Sequence, residues 1–446
     1  IIISSISNNV QNSSNADRVT KANSLLESLY EGIYSLKTSN FVGLTAGTHG
    51  LILNNTNQWE ITDSPNEVDG FLRTVTISDI STHEKEIILK INWASTQNQN
   101  LEVTSTSRIT NWDRLFYTFH DWSNPTIAST VNLPGTYEGV ELRTQGDYLY
   151  VARHGTTNNF CILDVVDPFN PILKKCINVA PTLNYIEVSG NYAILSSTAN
   201  SQEVSIVNIS NPMNPFVERI IDLPGAGDAW GSRVVGNYLY VVTNPTNESD
   251  KMYIIDFTIP ANAIDISKIS VPDTIIDISV YGNYAYLTTD SNTKEVVIAN
   301  ISNKVNPINV GSFNLPGNGD GFVVHSNLEN NRLIVSDTDG YVSILNISNP
   351  LSPILQKDYL VNGRVGAMAV NYSSNYVFLA TTNASREFQV LKITDPYNPT
   401  VIGFLNLPSE QYGLAYNSQK DILYLTGAGP DREITIVKPS ESIVDE

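Results

Sequence analysis

The chain is poor in the residues that build reactive centres. It has 2 cysteines, 5 histidines and 3 methionines in 446 residues, too few for a disulfide scaffold or a His-rich metal centre. Basic residues are scarce as well: 26 Lys and Arg stand against 45 Asp and Glu, a net charge of -19. Phosphate backbones need a basic footprint, so nucleic acid is excluded as a partner. No apolar run reaches the ~20 residues of a membrane span, and the only membrane route left to expect is a helix upstream of residue 1. Walker loops, dinucleotide loops, GxSxG elbows and zinc-type His/Cys spacings are all missing. With 41% hydrophobic and 16% charged residues, the chain is nevertheless a packing sequence, not a disordered one.

What it has is repetition. A glycine or asparagine, a polar residue, a tyrosine and alternating apolar residues return along the chain, as in Gly146-Asp147-Tyr148-Leu149-Tyr150-Val151 and Gly236-Asn237-Tyr238-Leu239-Tyr240-Val241. The residue after the turn falls at 148, 192, 238, 284, 332, 376 and 422, with spacings of 44 to 48. Each unit continues into a strand that ends in an Asn/Asp-Pro turn, as at Asn208-Ile209-Ser210-Asn211-Pro212, and then a strand closing on Leu-Pro, as at Leu223-Pro224. Asn and Asp close turns with their side chains, and proline refuses a ladder hydrogen bond. With the short apolar run before each tyrosine, a unit holds four strands in about 45 residues, the arithmetic of a propeller blade. The last unit stops at Val437-Lys438 without an outer strand, whereas residues 126–133 form an outer strand with no unit of its own. Those residues are expected to complete the last blade and so remove an open edge. Leu115–Phe119 is a surplus strand in that scheme.

The repeat resembles the LVIVD-type repeat of β-propellers over roughly residues 115 to 437. The first 112 residues read differently. Ala22, Leu25, Leu26, Leu29, Ile33 and Leu36 fall at helical spacing and predict an amphipathic helix over about 15–37, with Ile1 to Val10 as the tail of an apolar helix arriving from upstream. A Gly-rich loop, Thr45 to Gly50, precedes β-type segments at 71–80, 87–93 and 101–109, and then Thr110-Asn111-Trp112. This order resembles a type IV pilin or pseudopilin head, which implies assembly with other pilin subunits through the N-terminal helix. The expected fold class is therefore mainly β: an α+β pilin-like domain (long helix plus antiparallel sheet) over 1–112, then a seven-bladed β-propeller over 113–446. Residues 1–112 carry a net charge of -4, and the remainder carries -15.

Three loops after the Leu-Pro exits carry an acid at one offset: Glu138, Asp228 and Asp320. On one propeller face they would bind a cation such as Ca2+ or a basic partner, with Trp230, Tyr137 and Phe322 as aromatic contacts; the plainer alternative is solvated turns. Arg233 and Arg364 are the cationic candidates near the axis, and His154 reads as a rim residue. Ser336 to Gly340 reads as a β-turn. Cys161 and Cys176 flank the Asp167-Pro168 turn almost opposite each other; a cross-strand disulfide and a reduced core pair both fit. These features predict a non-enzymatic, extracellular or pilus-borne protein on the cell surface, contacting a surface glycan or protein through the propeller. The other reading is an extracellular metal-assisted hydrolase or lyase acting on polysaccharide through the top face.

Overall fold

The structure is a computed structural model that describes residues 13–40, 44–54, 59–81, 84–95, 99–110, 121–135, 137–224, 227–245, 250–327, 331–371, 373–427 and 433–440. The chain divides into two compact units, Ile1–Phe119 and His120–Glu446.

In the first unit, helix α1 (Ser13–Asn40) is followed by strands β1 (Gly47–Leu53), β2 (Trp59–Thr62), β3 (Asn66–Val68), β4 (Phe71–Ser81), β5 (Glu84–Ala94) and β6 (Asn100–Thr110). The sheet order is β2-β1-β4-β5-β6, with β3 paired to β4. Strict alternation in β4 and β5 buries Phe71, Val75 and Ile77 beside Ile87, Leu89, Ile91 and Trp93 on one face. Against that face α1 lays Ala22, Leu25, Leu29 and Ile33, the 3.6-residue stripe that makes it a packing helix. At Gly32 the helix comes so close that a Cβ would lie 2.2 Å from Leu51 Cδ2 and 2.8 Å from Trp59.

Two expectations are corrected here. The pilin-like α+β class does not hold: the structure is nearly all-β, 61% strand, with one α-helix among the described residues. That helix has one buried apolar stripe and is not apolar all round. Among the described residues no helix is long and apolar enough to cross a membrane. The expected Gly-rich loop is largely strand β1, where Gly50 permits backbone contact (its Cβ would meet Ser64 O at 2.6 Å). The His49 ring is bonded to Thr45 O at 3.0 Å and lies 3.2 Å from Thr62 O. Residues 1–10, 111–112 and 115–119 lie outside the described residues.

The second unit is seven four-stranded antiparallel sheets. Their inner strands are Gly139–Gln145, Leu183–Ser189, Gly227–Val235, Ile275–Tyr281, Gly321–Asn327, Val365–Asn371 and Gln411–Asn417. Each inner strand touches the next and the last touches the first, so the sheets close into a ring. The tight turn before each second strand needs a left-handed residue. Gly146, Gly190, Gly236 and Gly282 have φ of 56 to 59°, and Asn331, Asn375 and Asp421 have 49 to 57°, the short polar residues that tolerate this region best. At the Asn/Asp-Pro turns the side chain accepts the backbone N–H two residues on, 3.0 to 3.2 Å away at Asp167, Asn211, Asn349 and Asp395, and Asn303, followed by Lys304, does the same at 3.2 Å.

The seam joins the two ends of the unit. Strand β7 (Asp121–Val131) pairs antiparallel with Ile434–Ser440, from Ile434 opposite Val131 to Ser440 opposite Asp121. Leu133 N donates to Glu433 Oε2 at 2.8 Å. Glu433 in turn is held by the fully buried Arg153 of the first blade through Nε at 3.0 Å and Nη2 at 2.5 Å. Arg153 Nη1 also donates to Pro134 O and Asn158 O, at 2.9 and 3.0 Å. Further out, Trp122 packs on Phe378 and Phe388 and donates to Asp421. Room for its backbone exists because position 403 is glycine: a Cβ there would lie 2.0 Å from Trp122 O.

Candidate functional site at the propeller axis

The inner strands carry an unusual load for the innermost layer of a ring. Pairing with the second strand places Arg143, Glu187, Arg233, Ser279, His325, Ala369 and Ala415 at one height around the axis. Two residues earlier lie Glu141, Tyr185, Gly231, Asp277, Val323, Ala367 and Gly413 at the next height. Five blades thus supply charge or hydrogen bonds, and two supply only small side chains.

The charges are paired. Arg143 Nη1 meets Glu141 Oε1 at 2.8 Å, and its Nε faces Glu187 Oε2 at 3.7 Å. Arg233 Nη2 lies 3.6 Å from Asp277 Oδ1. Asp277 also accepts the N–H groups of Ile278 and Val324, at 2.8 and 3.1 Å. The Tyr185 ring is flanked by both guanidinium groups, 4.9 Å from Arg143 and 5.1 Å from Arg233, and its hydroxyl accepts from Arg143. Cations on an aromatic face gain most where water is excluded. Burial pushes the Glu187 carboxyl up to about 7, against the pull of Arg143. Burial also raises Glu141 and Asp277, each opposed by its arginine. His325 moves the other way, down to about 3, through burial and then the two arginines. It is therefore neutral, and its Nε2–H donates to Met368 O at 2.9 Å.

Above this belt, at the starts of the inner strands, opens a mouth pocket of about 470 Å3. Its rim includes Glu138, His154, Trp230, Phe322, Arg364 and Tyr412. Trp230 is 39% exposed, and the Arg364 guanidinium sits 5.0 Å over the Phe322 ring. Of the sequence-predicted residues, Glu138, Trp230, Phe322, Arg233, Arg364 and His154 line this mouth, whereas Asp228 and Asp320 do not. Only one of the three acids, Glu138, reaches the mouth, so the acids do not converge there. Among the described residues no group of three His, Cys, Asp or Glu side chains is placed to hold a metal ion. Tyr137 is engaged elsewhere, with Arg153 over its ring at 5.6 Å and Thr157 Oγ1 at 3.2 Å from its hydroxyl. Asp337 accepts Tyr341 N at 2.8 Å within the hairpin that Gly340 closes at φ 88°.

Sequence reasoning missed Arg143, Glu141, Glu187, Asp277, His325 and Tyr185. The signal was present as polar residues two apart inside short apolar runs, as in Glu141-Leu142-Arg143 and Asp277-Ile278-Ser279. Cys161 and Cys176 stand directly opposite each other in the first blade and form a disulfide, with Cα atoms 4.1 Å apart.

The LVIVD repeat matches residues 141–179, 184–222, 226–258, 274–315 and 330–361, five of the seven blades. No curated protein matches this chain. Among solved structures, the β-propeller domain of Cps50 (Swd1) from Myceliophteria thermophila is similar with a TM-score of 0.55 at 14% identity. That likeness covers 71% of this chain and 100% of that one. A chain of the mitotic checkpoint complex is similar with a TM-score of 0.58 at 12% identity, covering 71% and 92%. At such identities the likeness is one of fold.

Proposed function

We propose that this chain, a β-propeller carrying LVIVD repeats, is a non-enzymatic binding protein that meets a surface glycan or protein through its axial mouth. The observation that carries the reading is Trp230, a large aromatic left 39% exposed on the rim of the cavity. A rigid indole at the edge of a concave pocket is a preferred anchor for a sugar ring or an apolar side chain. Phe322 with Arg364 above it, and Tyr412, extend the same rim. The charged groups below are committed to one another, which suits a shaped floor better than a proton-transfer centre. The Cys161–Cys176 disulfide supports an oxidising, extracellular setting. Filament assembly forms no part of the reading, because the first unit departs from the pilin plan.

Trp230→Ala should lower affinity for immobilised glycans or cell-surface proteins at least ~10-fold, with an unchanged thermal midpoint. Incubation with polysaccharides and calcium should yield saturable binding without products. Turnover in that incubation would instead support the hydrolase or lyase reading.

A further inference from the structure

The two units treat their strand edges differently. In each of the seven blades the outer strand is paired through a register shift, the bulge that twists an edge away from further pairing. In the first unit the sheet path ends at β2 on one side and at β6 on the other. Strand β2 has four residues, the short kind of edge that resists templating. Strand β6 has eleven, without proline or glycine, and pairs with β5 from Asn100 to Thr110 with no shift. Among the described residues no strand pairs along its outer edge.

The residues of β6 are self-complementary about the strand's centre. Val103 and Ile109 are buried in the core, with Leu101 packed against it, while Glu102, Thr106 and Arg108 are exposed on the other face. Lys90 and Asn92 of β5 both contact Glu102 through Oε2, at 3.1 and 3.2 Å, and its side chain remains 52% exposed. Laid antiparallel on a second copy with Ser105 opposite Ser105, all eleven residues overlap. Glu102 then faces Arg108 at both ends of the seam, Thr104 faces Thr106, and on the helix side Leu101 faces Ile109. Opposite charges, threonines and apolar side chains are the favourable cross-strand combinations. Moving the centre to Thr104 or Thr106 leaves both charges opposite uncharged residues, and moving it to Glu102 or Arg108 sets like charges together.

We propose that β6 is a self-association edge: two copies of this chain pair antiparallel through Asn100–Thr110 about a two-fold axis at Ser105, merging two six-stranded sheets into one. The occupant is a second copy because the strand carries its own complement in both charge and length, as a two-fold contact requires. On the order of ten main-chain hydrogen bonds form along the seam. The Glu102–Arg108 pairs fix its register. The contact belongs to the first unit and does not depend on what the axial mouth binds.

The test is sedimentation velocity of the full chain from about 0.1 to 100 μM, where a reversible dimer is expected. Glu102→Arg and Arg108→Glu each set like charges together at both ends of the seam, and each should raise the dissociation constant at least ~10-fold. An equimolar mixture of these two variants should restore the dimer, because every facing pair is then of opposite sign. Ser105→Cys should cross-link to its own copy on oxidation, since the native cysteines are already joined to each other, whereas Thr106→Cys should not. Should a charge variant lose its cooperative thermal transition, Ser105→Cys decides alone. A chain that stays monomeric over that range, a dimer indifferent to both reversals, or no recovery on mixing would overturn the proposal.

Discussion

Single residues set both the turns and the charge state of the axis. The left-handed position before each second strand accepts Gly, Asn or Asp because a Cβ there strains most other residues. At Gly236 nothing lies within 4 Å of an added Cβ, so the cost of substitution is conformational alone. Gly236→Ala should therefore lower stability by about 1 kcal/mol, and Gly236→Asn by less, as read by denaturant midpoint. The axial groups make a second prediction. Glu187 is raised towards 7 in the folded protein, so its favourable contribution is complete below the unfolded-state pKa and fades as pH rises towards 7. Glu141 and Asp277 act in the same direction. His325, depressed to about 3, acts oppositely: stability is lost as pH falls below its unfolded value. Thermal midpoints from pH 4.5 to 8 should show Glu187→Gln gaining on the wild type as pH rises. His325→Asn should show a midpoint falling with pH more steeply than the parent.

At the scale of elements, four blades share a device that tyrosine and proline landmarks did not reveal. Glu203, Glu295, Glu387 and Glu433 are buried just before the third strand. Each accepts the N–H of the leucine in the Leu-Pro exit, at 2.8 to 2.9 Å for Leu223, Leu315, Leu407 and Leu133. Proline cannot donate, so the leucine N–H is the last donor available before the chain turns inward. The carboxylate satisfies it where no strand does. Glu295→Ala should cost about 1–3 kcal/mol by leaving Leu315 N–H buried and unmet, measured by chemical denaturation. This scale also shows where the sequence was legible. Turns are local, so the Gly-polar-Tyr and Asn-Pro signals could be read from neighbouring residues and exposed the blades. The first unit offered no repeat, and α1 on a sheet is a plan many folds share; likeness to a pilin head therefore outran its evidence. The axial site was harder still. Arg143, Glu187 and His325 are distant in sequence and become neighbours only through the ring. The acids Glu138, Asp228 and Asp320 shared an offset, but an offset along the chain does not fix which loop residue reaches the axis, and only Glu138 lines the mouth.

For the whole molecule, closure is the decisive event. An open array of blades would expose strand edges, which invite association; pairing of β7 with the last blade removes them. The Arg153–Glu433 pair ties the first blade to the last with neither partner exposed. Arg153→Met would leave Glu433 buried without its counter-charge, a loss of about 3–5 kcal/mol. The double change Arg153→Met with Glu433→Gln should recover part of it. Equilibrium unfolding of the two variants gives the comparison directly.

The pairing of Asp121–Val131 with Ile434–Ser440 has a consequence in time. As the polypeptide leaves the ribosome, the first of these segments emerges some three hundred residues before its mate. At ordinary translation speeds of about 5–20 residues per second it waits roughly 15–60 s with its main-chain groups unclaimed. The middle blades would be finished while the seam stays open, and the molecule is at its most adhesive towards copies of itself until Ile434–Ser440 emerges.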